Sequence, residues 1–269
     1  MSSYPEEPAG LADVQAGADE RNVKIDKVGV KDIRYPIIVK DRAKQAQHTV
    51  GRVEMYVDLP HHFKGTHMSR FLEVLNEYDG VISVDRLPEL LDSVRERLDA
   101  ETAHFVVSFP YFMRKEAPVT GASGMMEYEC GFEARSGAEN DFVLTVGVPV
   151  TTLCPCSKEI SDQGAHNQRS MVKVRVRFNG ELWIEELVET IERSASCDLY
   201  PILKREDEKF VTEKAYENPR FVEDLVREVA LRLRKDARIS WFQVQVENFE
   251  SIHAHNAFAF IEERCDTPE

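Results

Sequence analysis

Two cysteines one residue apart, Cys154-Pro-Cys156, are followed ten residues later by His166, with Lys158 and Arg169 alongside. Thiolate sulfur and imidazole nitrogen are ligands for divalent transition metals, and a thiolate is also a nucleophile. The spacing is not the CxxC of redox and zinc-ribbon sites, and no second cysteine pair completes a four-cysteine site. Two buried apolar thiols are the plainer alternative, because free cysteine is often buried; the proline, the polar flanks and His166 weigh against it. A second constellation, Glu250-Ser-Ile-His253-Ala-His255, lies toward the end of the chain. Residues two apart on a strand share a face, so a strand here would put both imidazoles side by side. Glu206 and Glu208 lie in Lys204-Arg-Glu-Asp-Glu-Lys209, where the charge pattern alone describes a solvated face. The unusual Cys197-Asp-Leu-Tyr-Pro201 before it keeps a functional role open. Cysteine, histidine and glutamate together suit zinc or another divalent transition metal. The expected chemistry is metal-assisted hydrolysis, with histidines moving protons.

The elements that must position these groups follow from periodicity. Alternating apolar and polar residues predict strands at 33–39, 49–59, 104–109, 126–134, 142–150 and 171–178, and at 239–246 and 254–261 near the end. Apolar residues at three- and four-residue spacing predict helices after Phe71, from about Asp85, from about Glu181, after Lys209 and over 219–235. For the last of these, Asn218-Pro219 reads as an N-cap followed by proline at the first helical position, with Phe221, Val222, Leu225, Val226, Val229 and Leu233 facing inward. Glu223 beside that stripe is either a boundary carboxylate or a hydrogen-bonding anchor. The order is strand-strand-helix-helix-strand-strand, and then roughly the same again. The expected class is α+β, with two ββααββ-like modules whose antiparallel sheets are covered by helices on one face. The expected division is a disordered tail over residues 1–23, a first module over 24–140 and a second over 141–269.

Composition narrows the function classes. The 269 residues are 42% hydrophobic and 30% charged, as in a globular protein. A formal net charge of -14 argues against coating nucleic acid or an anionic membrane, although a local basic pocket can still take a polyanionic small molecule. No apolar run is long enough to span a bilayer, and residues 1–7 lack the pattern of a signal peptide. Five cysteines without disulfide-framework spacing fit a reducing cytoplasm. Walker A, GxGxxG and GxSxG motifs do not occur, which weighs against P-loop, dinucleotide and serine-hydrolase chemistry.

Five runs together resemble the GTP cyclohydrolase IB family. They are Lys64-Gly-Thr-His-Met-Ser-Arg70-Phe71, Cys154-Pro-Cys-Ser-Lys-Glu-Ile-Ser161, Gly164-Ala-His-Asn-Gln-Arg169, Tyr200-Pro-Ile-Leu-Lys-Arg-Glu-Asp-Glu-Lys209 and Glu250-Ser-Ile-His-Ala-His255. The resemblance implies a bimodular tunnelling fold, assembled as a homotetramer with sites between subunits. It implies conversion of GTP and water to 7,8-dihydroneopterin triphosphate and formate, the first step of folate biosynthesis, with zinc, manganese or iron as cofactor. By the same resemblance Cys154, His166 and Glu208 are the expected metal ligands. Glu250, His253 and His255, with Cys154, match acid–base or further metal-site positions, and Glu223 would grip the purine edge. Lys64, Arg70, Arg169 and Lys204 are candidates for the triphosphate by charge and neighbourhood. Two other readings compete: a tunnelling-fold nitrile reductase with a cysteine nucleophile, whose nicotinamide-associated motif is not seen here, and a non-catalytic zinc-stabilised module.

Overall fold

The computed structural model describes residues 15, 17–78 and 86–265. Its frame is one antiparallel sheet of nine strands among the described residues, in the order β1-β2-β3-β4-β5-β6-β8-β9, with the two-residue β7 pairing with β5. The first half runs β1 (Ile25–Asp41), β2 (Gln45–Leu59), α1 (Met68–Glu77), α2 (Leu87–Leu98), β3 (Ala103–Glu116) and β4 (Ser123–Ser136). The second runs β5 (Asp141–Leu153), α3 (Pro155–Ile160), β6 (Asn167–Phe178), α4 (Ile184–Glu192), β7 (Cys197–Asp198), α5 (Arg205–Glu217), α6 (Val222–Arg234), β8 (Ile239–Asn248) and β9 (Ala257–Arg264). The class is therefore the expected α+β arrangement with its twofold ββααββ-like order. The sheets of the two halves are continuous, because β4 and β5 pair from Glu129↔Gly147 to Arg135↔Asp141.

Period-two patterning decides which face is covered. Leu144, Val146, Val148 and Val150 of β5, Val172, Val174 and Val176 of β6, and Phe242, Val244 and Val246 of β8 are all buried. They pack in one core with Leu187, Val188 and Ile191 of α4 and Leu225, Val226, Val229 and Leu233 of α6. The intervening residues Lys173, Arg175, Gln243 and Gln245 line a hollow on the opposite face. Close packing leaves no room for a side chain at Gly131, where a Cβ would stand 2.7 Å from the Val107 carbonyl oxygen across the β3–β4 ladder. Gly131→Ala is expected to lower stability by about 1–3 kcal/mol, the usual cost of overpacking, read as a shift of the denaturant midpoint.

Several expectations need correction. The strands extend beyond their apolar runs, β1 to Ile25–Asp41 against the expected 33–39, because backbone pairing with β2 continues past the patterned residues. The tail expected over 1–23 falls outside the described residues for 1–14 and 16. Its end is held: Ala18 bridges Phe63, the Gly65 amide donates to the Gln15 carbonyl at 3.1 Å, and the Lys64 amide donates to the Gly17 carbonyl at 3.0 Å. The start expected near Asp85 lies outside the described residues, and the described helix begins at Leu87. Asn218 does not open α6. It ends α5, with its Nδ2 donating back to the Lys214 carbonyl at 3.0 Å. The residue before α6 is Phe221, whose amide donates to the Asp224 carboxylate at 3.0 Å, and its ring is exposed rather than inward.

Two buried polar knots tie the halves together. Asp207, fully buried in the first turn of α5, accepts from the amides of Val119 and Thr120 at 2.9 Å each. It also accepts from the Thr120 hydroxyl at 2.6 Å and the Lys204 amide at 2.9 Å. Burial pushes this carboxyl up, but the ring of donors outweighs it and holds it well below the usual carboxylate range. In the second knot, Lys115 of β3 pairs with Glu192 of α4 and, at 3.4 Å, with Asp198 of β7. The Tyr128 hydroxyl donates to Glu192 at 3.1 Å and Lys214 reaches Asp198 at 3.2 Å. Burial pushes Glu192 up, and Lys115 offsets only part of that.

Candidate active site

The cysteine loop, the start of β6, the start of α6 and the end of β8 meet in a cleft of about 290 Å³. The meeting is enforced by backbone hydrogen bonds. The Cys154 amide donates to the His166 carbonyl at 3.1 Å, the Arg220 amide to the Leu153 carbonyl at 2.9 Å, and the Phe249 amide to the Arg169 carbonyl at 3.0 Å. Three segments distant in sequence are thereby pinned to the ends of adjacent strands. Cys154, His166, Arg220, Glu223, Glu250, His253 and His255 all line the cleft.

Cys154 is the N-cap of α3, a single short helix within what the sequence reading treats as a loop. Pro155 occupies the first helical position, where its missing N–H leaves no gap. The Cys154 sulfur accepts from the Ser157 amide at 3.4 Å, while the Ser157 hydroxyl donates to the Cys154 carbonyl at 3.1 Å. The same hydroxyl oxygen accepts from the His166 amide at 3.2 Å, so Ser157 couples thiol and imidazole through the backbone. From α3, Lys158 reaches the Tyr216 carbonyl at 2.5 Å and lies over the Tyr216 ring, docking the helix on the end of α5. All five cysteines are free. Burial pushes the thiols of Cys130 and Cys197 up, which marks them as inert packing groups. Cys154 is half-buried at the cleft and Cys156 is exposed.

His253 and His255 do not sit on a strand. They lie in the bends of residues 251–255, and β9 begins only at Ala257. Their rings nevertheless stack, with centroids 5.2 Å apart and planes 17° from parallel, so the expected juxtaposition is met by loop geometry. Glu223 is exposed on the first turn of α6, with its carboxylate at the cleft.

The remaining predicted residues stand elsewhere in the single chain. Glu208 is exposed on the first turn of α5 and does not line the cleft. Lys204 is the residue before that helix. Arg70 of α1 lines a separate surface hollow with Glu77, Ser93, Glu96 and Arg97. Lys64 precedes α1. Arg169 is exposed where its neighbour Gln168 is buried, as strand alternation requires. The sequence reading missed Gln168, Arg220 and Asn248. Each lines the cleft, and the Arg220 Nε is buried without a hydrogen-bond partner among the described residues. Gln168 lay within a run already singled out, but nothing in its type distinguished it from an ordinary strand glutamine.

The family model described as "Type I GTP cyclohydrolase folE2" matches residues 11–259. A protein of Magnetococcus marinus named GTP cyclohydrolase FolE2 is 61% identical over 94% of this chain and 96% of its own length. Its namesake in Geobacter sulfurreducens is 57% identical over 94% and 98%. Among solved structures, uricase from Arthrobacter globiformis superposes with a TM-score of 0.53 at 10% identity, covering 91% of this chain and 95% of that one. At that identity the likeness speaks for the fold alone, which is the bimodular tunnelling fold. With a family model matching residues 11–259 and relatives more than half identical over 94% of its length, the chain belongs to the type I GTP cyclohydrolase family of the FolE2 kind.

Proposed function

We propose that this cleft opens the guanine ring of GTP, releases C8 as formate and yields 7,8-dihydroneopterin triphosphate, the type IB reaction that begins tetrahydrofolate synthesis. The observation that carries this reading is the convergence of a thiol, three imidazoles and two carboxylates in one cleft of a chain whose relatives are named GTP cyclohydrolase. Two waters enter as the imidazole ring opens and the formyl group is hydrolysed. One leaves when the rearranged ribose recloses on the freed nitrogens, for a net consumption of one.

The donor set fits a zinc, manganese or iron ion, since sulfur, imidazole nitrogen and carboxylate oxygen together suit borderline divalent metals. Among the described residues no three of His, Cys, Asp and Glu come close enough to hold an ion within one chain. We therefore place Cys154 and His166 as ligands, with Glu208 joining them where copies of the chain meet in a homotetramer. The exposed rings and side chains of Phe221, Phe249 and Ile252 near the cleft support an interface there. A bound ion supplies a Lewis acid that lowers the pKa of water and polarises oxygen.

The protein's own groups do the rest. Glu223 accepts from adjacent N–H donors on the guanine edge, a charge-assisted pair. Glu250 orients water toward C8. The stacked His253 and His255 take its proton and deliver one to the ring nitrogen that leaves C8. Arg220 is the cation that already lines the cleft, while Lys64, Arg70, Arg169 and Lys204 would reach the triphosphate from the assembled subunits. Five free cysteines fit a cytoplasmic setting, and no helix among the described residues is long and apolar enough to cross a membrane.

The test is direct. Purified protein loaded with manganese, iron or zinc is incubated with GTP, and formate is followed together with neopterin fluorescence after oxidation. Both signals are expected with at least one metal, and silence with all three would overturn the assignment.

A further inference from the structure

If His166 holds an ion, as that reading requires, one ring nitrogen must offer its lone pair, and four side chains behind the ring determine which. His166 Nδ1 lies 3.1 Å from Gln168 Oε1. Gln168 Nε2 donates to Thr152 Oγ1 at 2.8 Å, Thr152 Oγ1 and Ser170 Oγ are 2.8 Å apart, and the Ser170 hydroxyl donates to Asn248 Oδ1 at 2.7 Å. The row is a product of strand register, since Thr152 is opposite Gln168 and Ser170 is opposite Asn248 across β5, β6 and β8. Thr152 and Ser170 are wholly buried, and Gln168 and Asn248 are 7% and 2% exposed.

A hydroxyl carries one hydrogen, and that makes the row directional. Ser170 gives its proton to Asn248, so its oxygen accepts from Thr152. Thr152 has then used its own proton, and its oxygen accepts from the Gln168 amide. Gln168 is left presenting a carbonyl to His166, and a carbonyl can meet only a protonated Nδ1. The Ser251 hydroxyl, 3.4 Å from the same nitrogen, is compatible as a second, longer acceptor. We propose that Gln168, Thr152, Ser170 and Asn248 form a one-way hydrogen-bond relay that locks His166 as the Nδ1–H tautomer, leaving Nε2 as the lone-pair nitrogen of the site. The four are positioning residues.

The relay has one alternative state, in which both terminal carboxamides turn over and every hydrogen bond reverses. A single turned amide would leave two donors or two acceptors facing each other in the buried row, which is costly. The two ends are thus coupled, and because Asn248 also lines the cleft, the orientation of its amide is tied to the protonation of a nitrogen on His166 four links away. A carboxylate in place of Asn248 cannot donate and therefore enforces the proposed direction, whereas one in place of Gln168 accepts from both Thr152 and His166 Nδ1–H, keeping the tautomer while turning the hydroxyls the other way.

Nitrogen-15 spectra of histidine-labelled, metal-free protein, buffered well above the ordinary imidazole pKa of about 6.5, read the tautomer directly, with His166→Gln assigning the signal. The wild type is expected to show protonated Nδ1 and unprotonated Nε2, and Asn248→Asp is expected to keep that pattern. Gln168→Met, whose thioether is only a weak acceptor, is expected to shift His166 toward Nε2–H and to weaken binding of zinc alone by about 10–100-fold, the usual cost of losing the partner of a ligand histidine. Gln168→Glu is expected to restore both. Unprotonated Nδ1 in the wild type would overturn the relay, as would a Gln168→Met variant with an unchanged tautomer. These spectra involve neither metal nor GTP, so a wild type that fails to turn over GTP sinks the functional reading and leaves the tautomer result standing. If Gln168→Met does not fold, the wild-type and Asn248→Asp spectra decide the matter by themselves.

Discussion

Replacing Cys154 or His166 by alanine is expected to abolish formate release from GTP, with a loss of more than about a thousand-fold. A metal Lewis acid contributes several kcal/mol of transition-state stabilisation, and each 1.36 kcal/mol is a tenfold change in rate. The two side chains lie at a cleft rather than in the apolar core, so the thermal midpoint should move little while turnover disappears. Cys156→Ala provides the contrast, because that thiol is exposed two residues away and lines no part of the cleft. It is expected to stay within several-fold of the wild type. If both Cys154→Ala and His166→Ala remain fully active, the site is misplaced. If Cys156→Ala alone is inactive, the reactive thiol is the other one.

The second large effect concerns stability. Lys115 and Glu192 are only 12% and 10% exposed and face each other between β3 and α4. Removing one partner of such a pair leaves an uncompensated charge and costs about 3–5 kcal/mol. Lys115→Met is therefore expected to lower unfolding free energy by that amount in denaturant titration. Lys115→Met combined with Glu192→Leu should recover most of it, since apolar replacement of both partners is often neutral. The pH dependence has a definite sign. Burial pushes Glu192 above its unfolded value, so the stability linked to its protonation is fully present below the unfolded carboxylate range and is lost as pH rises through the raised folded value. Without Lys115 that value rises further, and the variant should lose stability with rising pH more steeply than the wild type. A flat difference between the two across that range would show that the pair is effectively solvated.

How much of this was legible depended on whether an element announces itself through burial. Val172, Val174 and Val176 alternate with Lys173, Arg175 and Arg177, and β6 follows from that pattern alone. The stripe of α6 was equally plain, but its start was not. Pro219 suggested a helix at once, whereas the Arg220 amide is held by the Leu153 carbonyl and the helix waits for Val222. In α5 only Asp207 and Ala215 are buried, so its periodicity is nearly silent and the stretch from Lys204 to Lys209 read as a connection. The short α3 was hidden because cysteine is not among the common N-cap residues. Among the residues that line the cleft, Cys154, His166 and the Glu250–His255 run stood out by residue type and spacing. Gln168, Arg220 and Asn248 were not, because what distinguishes them is cross-strand register and burial, which a single sequence does not display.

The seat of α5 bears on what kind of object each half is. A twofold order of strands and helices invites the picture of two interchangeable cassettes joined end to end. Asp207 contradicts it, for the carboxylate that starts α5 in the second half is filled by amides from the β3–β4 hairpin 87 and 88 residues earlier in the first. The helix bearing Lys204 and Glu208 at its entrance thus takes its place from the other repeat. Whatever symmetry the halves share, they are not spare parts for one another: the earlier one serves as a jig for a helix of the later one.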